Sequence, residues 1–306
     1  MISIALAAYN GSKYIREQLD SILVQTYQDF ELIVCDDCST DNTLQILTEY
    51  ANKDNRIKIF ENEKNLGFKK NFEKAISLCS GEYIALSDQD DIWIENHLEV
   101  LLREIKQYDA VCGDSELIDS CGNSLGIKFM DYVVNFHYAD INYIYLELLR
   151  GNKFQGATML LRTDFVKKCI PVPESLDYHD WWFCCCSCME NGFKAVFNVV
   201  TKYRMHNDSI TNSKEKTPFE RVVIDNLNFL FNKELGKKQK VYAAELKNKY
   251  GLKNPDFIQI YNFLFQPKIK RLSPKNISLI RKNYFSISGN KSYRFFFGSW
   301  FFWLFW

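Results

Sequence analysis

We predict an α/β fold in which a mostly parallel central sheet is flanked by helices, and three observations support this class. Short apolar segments without polar alternation, such as Ile2–Ala8, alternate along the chain with segments of helical periodicity. Strands of that composition are buried on both faces, as in parallel sheets covered by crossover helices. Polar residues follow three of these strands, at the end where ligands bind in such sheets.

Five strands are predicted in the first part of the chain from short, continuous apolar runs. They are Ile2–Ala8, Phe30–Cys35, Ile57–Glu61, Tyr83–Ser87 and Ala110–Gly113. Because parallel strands need crossover connections, the segments between them are expected to be helices. The predicted helices are Tyr14–Leu23, Thr43–Asn52, Phe68–Cys79 and Ile94–Lys106. Ile15, Leu19 and Ile22 fall on one face of the first helix, and Ser39 or Thr40 is placed to cap the second.

Charge divides the chain into two predicted regions. The 306 residues are 47% hydrophobic and 25% charged, which is a globular composition. Residues 1–210 hold 20 Lys and Arg against 32 Asp and Glu, whereas residues 211–306 hold 18 against 6. We therefore expect an acidic domain over 1–210 and a basic helical extension over 211–306.

The ten cysteines are expected to be free thiols. The segment Met1–Leu6 has no basic flank and no cleavable signal pattern, so nothing directs export to an oxidising compartment. The run Cys184–Cys188 lacks a second pair at zinc-ligand spacing. We interpret it as small buried hydrophobic residues.

The segment Asp88-Gln89-Asp90-Asp91 places three carboxylates directly after an apolar strand. These charges repel one another unless a cation or hydrogen-bond donors neutralise them. Mg²⁺ and Mn²⁺ prefer such oxygen ligands. The alternative interpretation is a solvated acidic turn that caps the next helix.

Asp36 and Asp37 end the second strand, where a carboxylate can accept from a base or a ribose. The alternative is a loop with a helix cap, which Ser39–Asp41 supplies in either case. No Gly-x-Gly-x-x-Gly follows the first strand, and no Gly-Lys-Ser/Thr follows any strand. The sequence therefore disfavours a dinucleotide site and a phosphate-cradling P-loop.

Two later clusters combine aromatic and ionisable residues. In Tyr178–Trp182, Asp180 stands beside two indoles, which suit sugar rings and shield a carboxylate so that its pKa rises. The alternative is a helix start with Asp in its first turn and the Trp pair in the core. In Tyr203–His206, Arg and His suit a diphosphate or its metal, or simply end a strand.

Taken together, six motifs resemble glycosyltransferase family 2 in order and spacing over about residues 1–210. They are Ala8-Tyr9-Asn10-Gly11, Gln25-Thr26-Tyr27, Phe30–Thr43, Asn65-Leu66-Gly67, Ser80-Gly81-Glu82-Tyr83 and Asp88-Gln89-Asp90-Asp91. The resemblance implies a GT-A fold, with a nucleotide-binding half (1–112) joined to an acceptor half (113–210) in one sheet.

The resemblance also implies residue roles. Ala8, Tyr9, Asn10, Asp37 and Asp88 are expected to bind the donor nucleotide, with Asp37 at the base. The implied cofactor is Mg²⁺ or Mn²⁺, held by Asp90 and His206, and the implied catalytic base is Asp180. Contacts to the acceptor or sugar are expected from Asn152, Gly156, His179, Trp181, Trp182 and Arg204.

Two positions depart from the family pattern. Ala8 stands where many members have Pro, Thr or Ser, and we expect little consequence. Cys38 replaces the usual glycine of an Asp-Asp-Gly-Ser motif, which leaves that turn less conformational freedom.

The leading hypothesis is an inverting, metal-dependent glycosyltransferase that uses a nucleotide diphosphate sugar and a lipid-linked or saccharide acceptor, without nucleic acid. The His179–Trp182 motif resembles the rhamnosyltransferase branch that builds bacterial surface polysaccharides. A non-catalytic sugar-binding subunit on the same fold is the alternative. A nucleotidyltransferase would normally need a basic Gly-rich loop, which Tyr9–Tyr14 does not offer.

The C-terminal region is predicted to lie on an anionic membrane surface. Residues 211–306 have a net charge of +12, and the last 12 residues are mostly aromatic but too few to span a bilayer. We therefore expect a cytoplasmic protein, peripheral at the inner face of the cell membrane. The alternative is that these aromatic residues pack on the catalytic domain.

Overall fold

The computed structural model describes residues 1–130, Leu148, 152–174, Leu176 and 178–206 of the chain. Within that part, nine strands form one sheet. In chain order they are β1 (Ile2–Ala8), β2 (Phe30–Asp36), β3 (Ile57–Glu61), β4 (Tyr83–Ser87), β5 (Ile92–Trp93), β6 (Ala110–Ile118), β7 (Ser124–Lys128), β8 (Met159–Arg162) and β9 (Phe193–Arg204).

The described helices connect these strands and cover the sheet. They are α1 (Ile15–Leu23), α2 (Thr43–Ala51), α3 (Phe68–Leu78), α4 (His97–Ile105), α5 (Thr163–Cys169) and α6 (His179–Met189). A short 3₁₀ turn, Gly156–Thr158, leads directly into β8.

The strand order is β3-β2-β1-β4-β8-β6-β9-β5, and β7 pairs with β6 beside this path. Strands β3, β2, β1 and β4 run parallel to one another. Strand β8 is antiparallel to both β4 and β6 and joins them into one sheet, in which β6 and β9 are again parallel. The α/β class, with a mostly parallel sheet flanked by helices, is therefore confirmed.

The parallel part of the sheet contains the centre of the core. Ile2, Ile4 and Leu6 of β1 are fully buried, and every residue of β2 is buried. Leu19 of α1 joins the same cluster, and α3 packs on β1 and β2. Burial of consecutive residues explains why these strands have continuous apolar sequences rather than alternating ones.

Two predicted boundaries were wrong, and the pairing of β9 explains both. The helix predicted to start at Ile94 starts at His97, because Ile92 and Trp93 pair with Lys202 and Thr201 of β9 as the short strand β5. The strand predicted to end at Gly113 continues as β6 to Ile118, because β9 and β7 flank it there.

The predicted basic extension, residues 211–306, lies outside the described residues, as do 207–210. In the part of the chain that the structure describes, no helix is both long enough and apolar enough to cross a membrane. All ten cysteines are described and are free. Cys184, Cys185 and Cys186 are buried on α6, which agrees with their interpretation as small core residues.

Candidate active site

The loops that follow β1 and β4 are joined at one edge of the sheet by a single side chain. Gln89 accepts a hydrogen bond from the Tyr9 amide at 2.9 Å, and its own amide donates to the Tyr9 carbonyl at 2.9 Å. A Cβ on Gly11 would lie 2.1 Å from Gln89 Oε1, so only glycine leaves room for this contact. The sequence did not identify Gln89, because its partner is distant in the chain and no local pattern reports the pairing.

The loops after β1 and β2 are also joined. The Asn10 amide donates to Ser39 Oγ at 3.0 Å, and Asn10 Oδ1 accepts from the Thr40 amide at 2.8 Å. Ala8 is buried at the end of β1, whereas Tyr9 is exposed. The structure therefore assigns Asn10 a loop-joining role and leaves Tyr9 available at the edge.

Asp37 is almost fully buried and fixes the segment that follows β3. Its carboxylate accepts from the amides of Leu66 and Gly67 at 2.7 and 2.8 Å. It also accepts from Asn62 Nδ2 at 2.7 Å. These bonds hold residues 62–67 beside the loop after β2, so the carboxylate has a structural function whether or not it also meets a base.

Cys38 takes a backbone conformation that favours glycine. Its φ is 61°, in the left-handed region, and its thiol donates to the Asn62 carbonyl at 2.8 Å. A non-glycine residue costs roughly 1–2 kcal/mol in this conformation. The turn is therefore formed with some strain at the position where the family pattern has glycine.

Two distant segments of the sequence bring carboxylates beside these loops: Asp88 and Asp90 follow β4, and Asp180 lies at the start of α6. Asp88 follows β4, and burial together with the negative charges of Asp90 and Asp180 raises its pKa to about 8. Gly156 links the two segments: its amide binds Asp180, and a Cβ at this position would lie 3.7 Å from Leu86 of β4, two residues before Asp88. The structure thus brings together the predicted donor-binding and catalytic carboxylates.

Asp180 lies in the first turn of α6 and is held by three donors. Asn152 Nδ2 donates to Oδ1 at 2.9 Å, and the Gly156 amide donates to Oδ2 at 3.0 Å. The Trp181 amide donates to Oδ1 at 2.7 Å. Burial raises the pKa of Asp180 to about 6, although these hydrogen bonds act to lower it. Asn152 and Gly156, which were expected to contact sugar, therefore orient this carboxylate.

The expectation that both indoles present faces to a sugar is not met in this structure. Trp181 and Trp182 are buried, and their Nε1 groups donate to the carbonyls of Leu148 and Cys169 at 2.6 and 2.7 Å. Two consecutive aromatic residues at a helix start were compatible with a platform or with the core. Burying both rings in the core removes more apolar area from water than an exposed platform would, so the core position is favoured.

His179 is likewise buried, and its ring stacks on Phe72 with centroids 4.2 Å apart. Burial, together with the charge of Lys69, lowers the pKa of His179 to about 3, so the imidazole is neutral. It lies next to Asp180 and close to Gly156, since a Cβ on that glycine would meet Nε2 at 3.4 Å. Aromatic side chains therefore pack on the buried side of the segment that carries Asp180.

Asp90 and His206 meet at the end of β9, with Asp90 Oδ2 lying 2.8 Å from His206 Nε2. Carboxylate oxygens suit Mn²⁺ and Mg²⁺, and Mg²⁺ binds through as few as one or two carboxylates with substrate phosphates. A neutral imidazole is a common metal ligand beside them. Among the described residues, no group of three or more His, Cys, Asp or Glu side chains forms a metal cage by itself. The pair therefore fits a divalent cation whose remaining ligands come from phosphate and water.

Arg204, which was expected to contact the acceptor or sugar, has its side chain turned into the protein. The residue is 2% exposed, and its Nε donates to the Asp90 carbonyl at 2.8 Å. A terminal nitrogen also donates to Glu17 at 2.7 Å. The guanidinium is turned inward because backbone and carboxylate acceptors from two other elements converge on it.

A mostly parallel α/β sheet flanked by helices, with carboxylates after its strands, is the arrangement expected of the GT-A fold. The chain belongs to glycosyl transferase family 2, whose family model matches residues 3–162.

Named relatives agree with this assignment. The chain is 32% identical over 222 residues, 71% of its length and 81% of the relative, to the UDP-Glc:alpha-D-GlcNAc-diphosphoundecaprenol beta-1,3-glucosyltransferase WfgD of Escherichia coli. It is 29% identical, over 75% of its length and 90% of the relative, to the putative teichuronic acid biosynthesis glycosyltransferase TuaG of Bacillus subtilis. Activity as a glycosyltransferase in bacterial polysaccharide or glycan synthesis follows.

Solved structures share the fold at low identity. Residues 1–349 of S. aureus TarS in complex with UDP-GlcNAc match with a TM-score of 0.59 and 20% identity, over 94% of this chain and 81% of that one. The mannosyltransferase PcManGT of Pyrobaculum calidifontis, in complex with GDP-Man and Mn²⁺, matches with a TM-score of 0.52 and 14% identity, over 81% and 80%.

Proposed function

We propose that the protein is an inverting, divalent-cation-dependent glycosyltransferase that moves a sugar from a nucleotide diphosphate sugar to a lipid-linked or saccharide acceptor. The observation that carries this proposal is the position of Asp180. It is held by Asn152 and Gly156, lies beside Asp88, and has a pKa raised to about 6 by burial. A carboxylate tuned in this way is ionised near neutral pH and is a stronger base than an exposed one.

In the proposed reaction, Asp180 removes the proton of an acceptor hydroxyl. The hydroxyl oxygen then forms a bond to the anomeric carbon of the donor, while the bond from that carbon to the diphosphate oxygen breaks. A single displacement from the opposite face inverts the anomeric configuration. The hydrogen bonds from Asn152 and Gly156 keep both carboxylate oxygens in a fixed direction, so little reorientation is needed.

Asp90 and His206 are the residues that we propose would hold the cation. When bound, a divalent cation would stabilise negative charge on the departing diphosphate. Asp88, whose pKa is raised to about 8, faces the same cluster and is proposed to meet the donor ribose or sugar. The Mn²⁺ in the GDP-Man complex of the mannosyltransferase with the same fold supports a cation here.

The donor nucleotide is proposed to bind at the loops after β1 and β2, with Asp37 at the base and Ala8, Tyr9 and Asn10 alongside. Support comes from the exposed ring of Tyr9 and from the hydrogen bond between the Thr40 amide and Asn10, which holds these two loops together. The structure of TarS with UDP-GlcNAc shows that this fold accepts a nucleotide sugar. Rhamnose remains the donor sugar proposed from the resemblance of the His179–Trp182 motif.

The acceptor is proposed to be lipid-linked and to lie at the inner face of the cell membrane. The name of WfgD specifies a diphosphoundecaprenol acceptor, which supports this class. The net charge of +12 over residues 211–306 supports attraction to an anionic lipid surface. The division into a domain over 1–210, with a boundary near 112, and a basic region over 211–306 likewise remains part of the proposal.

A donor screen tests the proposed reaction directly. The full chain is incubated with UDP-Glc, UDP-GlcNAc, GDP-Man or deoxythymidine diphosphate-rhamnose, each with Mn²⁺ or Mg²⁺, and release of nucleotide diphosphate is measured. One donor is expected to raise the unfolding temperature and to turn over only with cation. Full turnover in EDTA would contradict cation dependence, and retention of the donor configuration in the product would contradict inversion.

The alternative of a non-catalytic sugar-binding subunit loses its main support. That alternative needed Trp181 and Trp182 as an exposed platform, and both rings are buried. A protein of that kind would bind a donor without turnover in the same screen, with or without Asp180.

A further inference from the structure

We propose that Arg204 is a positioning residue that sets the place of the Asp90 loop, and through it the affinity for the divalent cation. This inference rests on the proposed cation site at Asp90 and His206. It adds a residue that does not touch the cation or the donor, and it assigns the inward direction of the Arg204 side chain a function.

The guanidinium of Arg204 connects three separate elements. Its Nε donates to the Asp90 carbonyl at 2.8 Å, and a terminal nitrogen donates to Glu17 of α1 at 2.7 Å. The other terminal nitrogen lies 3.4 Å from the Ser120 carbonyl, in the turn between β6 and β7. The loop after β4 is therefore held from inside the protein, at the backbone of the residue proposed to bind the cation.

The backbone around Arg204 fixes the second proposed ligand. The Arg204 amide donates to Asp91 Oδ1 at 3.0 Å, and the Met205 amide donates to the Ile118 carbonyl at 2.9 Å. These bonds hold the end of β9, so the next residue, His206, reaches Asp90 with Nε2 2.8 Å from Oδ2. One short segment thus positions both proposed ligands.

Tyr14 completes the arrangement between these groups. Its ring centroid lies 4.6 Å from the Arg204 guanidinium carbon and 5.1 Å from the His206 ring centroid. The ring is buried, so it fills the space between the guanidinium and the imidazole. Movement of the Arg204 side chain would therefore be transmitted to both Asp90 and His206.

Stabilisation by the ion pair between Arg204 and Glu17 does not account for the bond from Arg204 to the Asp90 carbonyl. Glu17 is 53% exposed, and exposed ion pairs contribute little to stability. The bond to the Asp90 carbonyl is different, because it is made by a guanidinium that is 1% exposed and it sets the geometry of the loop. Loss of such supporting contacts to metal ligands typically weakens metal affinity by about 10–100-fold.

The test compares Arg204→Lys and Arg204→Gln with the wild type by Mn²⁺ titration under electron paramagnetic resonance, first without and then with nucleotide diphosphate. Arg56→Gln is the matched control, since Arg56 also forms a short ion pair, with Asp54 at 2.6 Å, but beside the amino end of β3. We expect the two Arg204 variants to bind Mn²⁺ about 10–100-fold more weakly. The control is expected to bind Mn²⁺ as the wild type does.

A second readout separates positioning from a general loss of structure. At saturating Mn²⁺ the Arg204→Lys variant is expected to regain most of its turnover, with its Mn²⁺ requirement shifted to higher concentration. Folded Arg204 variants with Mn²⁺ affinity within twofold of the wild type would overturn the inference. A wild-type protein that binds no Mn²⁺ would instead overturn the proposed cation site, and this inference with it.

If neither Arg204 variant folds, Glu17→Gln replaces them. The exposed Glu17 pair adds little to stability, so this variant should fold, but the guanidinium loses one of its three contacts. We expect a smaller loss of Mn²⁺ affinity than in the Arg204 variants. Unchanged affinity in a folded Glu17→Gln variant would contradict the proposal.

Discussion

The two ends of the parallel strands hold carboxylates in opposite electrostatic states, the buried Glu31 and the partly buried Asp88. At the amino end, Glu31 accepts from Ser3 Oγ at 2.6 Å, the Ser80 amide at 2.8 Å and Lys58 Nζ at 2.8 Å. Burial acts to raise its pKa, but these donors outweigh burial and lower the pKa to about 2. At the carboxyl end, burial and the charges of Asp90 and Asp180 raise the pKa of Asp88 to about 8.

This difference separates a structural carboxylate from a functional cluster. Hydrogen-bond donors of the protein stabilise the ionised form of Glu31, so its ionisation increases the free energy of unfolding. Among the described residues, only negative neighbours and burial act on the Asp88 carboxyl. A bound cation would offset the repulsion between these carboxylates, which agrees with the cation proposed at Asp90.

The largest expected effect comes from removing a proposed cation ligand. Asp90→Asn should reduce transfer by about a thousandfold or more, because the charge on the departing diphosphate is then poorly stabilised. Cation-dependent donor binding should be lost, and the unfolding temperature should not fall, because one of several repelling charges is removed. Isothermal titration of the donor with and without Mn²⁺ measures this, and unchanged cation-dependent binding would remove Asp90 from the site.

The next effect concerns the base. Asp180→Asn should lower turnover by about a hundredfold or more, while the donor affinity stays nearly unchanged. The matched variant is Asp164→Asn, since Asp164 lies in the first turn of α5 and is largely exposed. Single-turnover kinetics with bound donor measure this difference. Loss of donor binding with intact turnover per bound donor would show that the roles are assigned wrongly.

At the opposite end of the strands, Glu31→Gln should act on stability instead of chemistry. We expect the free energy of unfolding at pH 7 to fall by about 3 kcal/mol, because a charge-accepting group is removed from Ser3, Ser80 and Lys58. Turnover per folded molecule should stay the same. Urea denaturation combined with the transfer assay tests both statements, and a catalytic defect without destabilisation would break the comparison between the two ends.

The pH dependence of stability sharpens the same contrast. The folded pKa of Glu31 is about 2, below the ordinary value of 4.5, so its contribution is present above pH 4.5 and is lost as pH falls toward 2. Between pH 5 and pH 3, the wild type should lose about 2 kcal/mol that Glu31→Gln does not lose. Parallel denaturation curves of the two proteins at these pH values provide the measurement, and equal slopes would refute the assignment.

The smallest expected effect lies in the turn after β2. Cys38→Gly should stabilise the fold by up to about 1 kcal/mol, because glycine adopts a φ of 61° without steric cost and the lost thiol contact to Asn62 is weak. Cys121→Gly is a useful contrast, since Cys121 is an exposed turn residue without a positive φ. Destabilisation by Cys38→Gly would show that the thiol contact outweighs the backbone strain.

The strands of the parallel half could be predicted almost to the residue. The predicted bounds Ile2–Ala8, Ile57–Glu61 and Tyr83–Ser87 agree with β1, β3 and β4. Each is an apolar run between polar segments, so the composition of the segment predicts that it is buried. The short strand β5 could not be predicted, because a pair such as Ile92 and Trp93 has no periodicity and extends only where β9 lies beside it.

The amino-acid sequence by itself determined the class of the fold and the identity of the acidic groups. Continuous apolar strands specify a sheet buried on both faces, and the carboxylates of Asp37, Asp88 and Asp90 necessarily follow the ends of such strands. A helix start with Asp180 in its first turn was one of two interpretations of Tyr178–Trp182, and the structure shows that helix start. These properties depend on neighbours a few residues away, and the sequence records such neighbours directly.

Only the tertiary structure decided which of these groups share a site and which side chains turn inward. Asp180 lies near the end of β4 because β8 inserts between β4 and β6 and brings the turn Gly156–Thr158, which binds Asp180, against β4. Arg204 and the Trp181 ring are buried because acceptors from distant elements, the carbonyls of Asp90 and Leu148, are there to meet them. Strand order and long-range packing determine these contacts, and hydrophobic periodicity within a segment does not predict them.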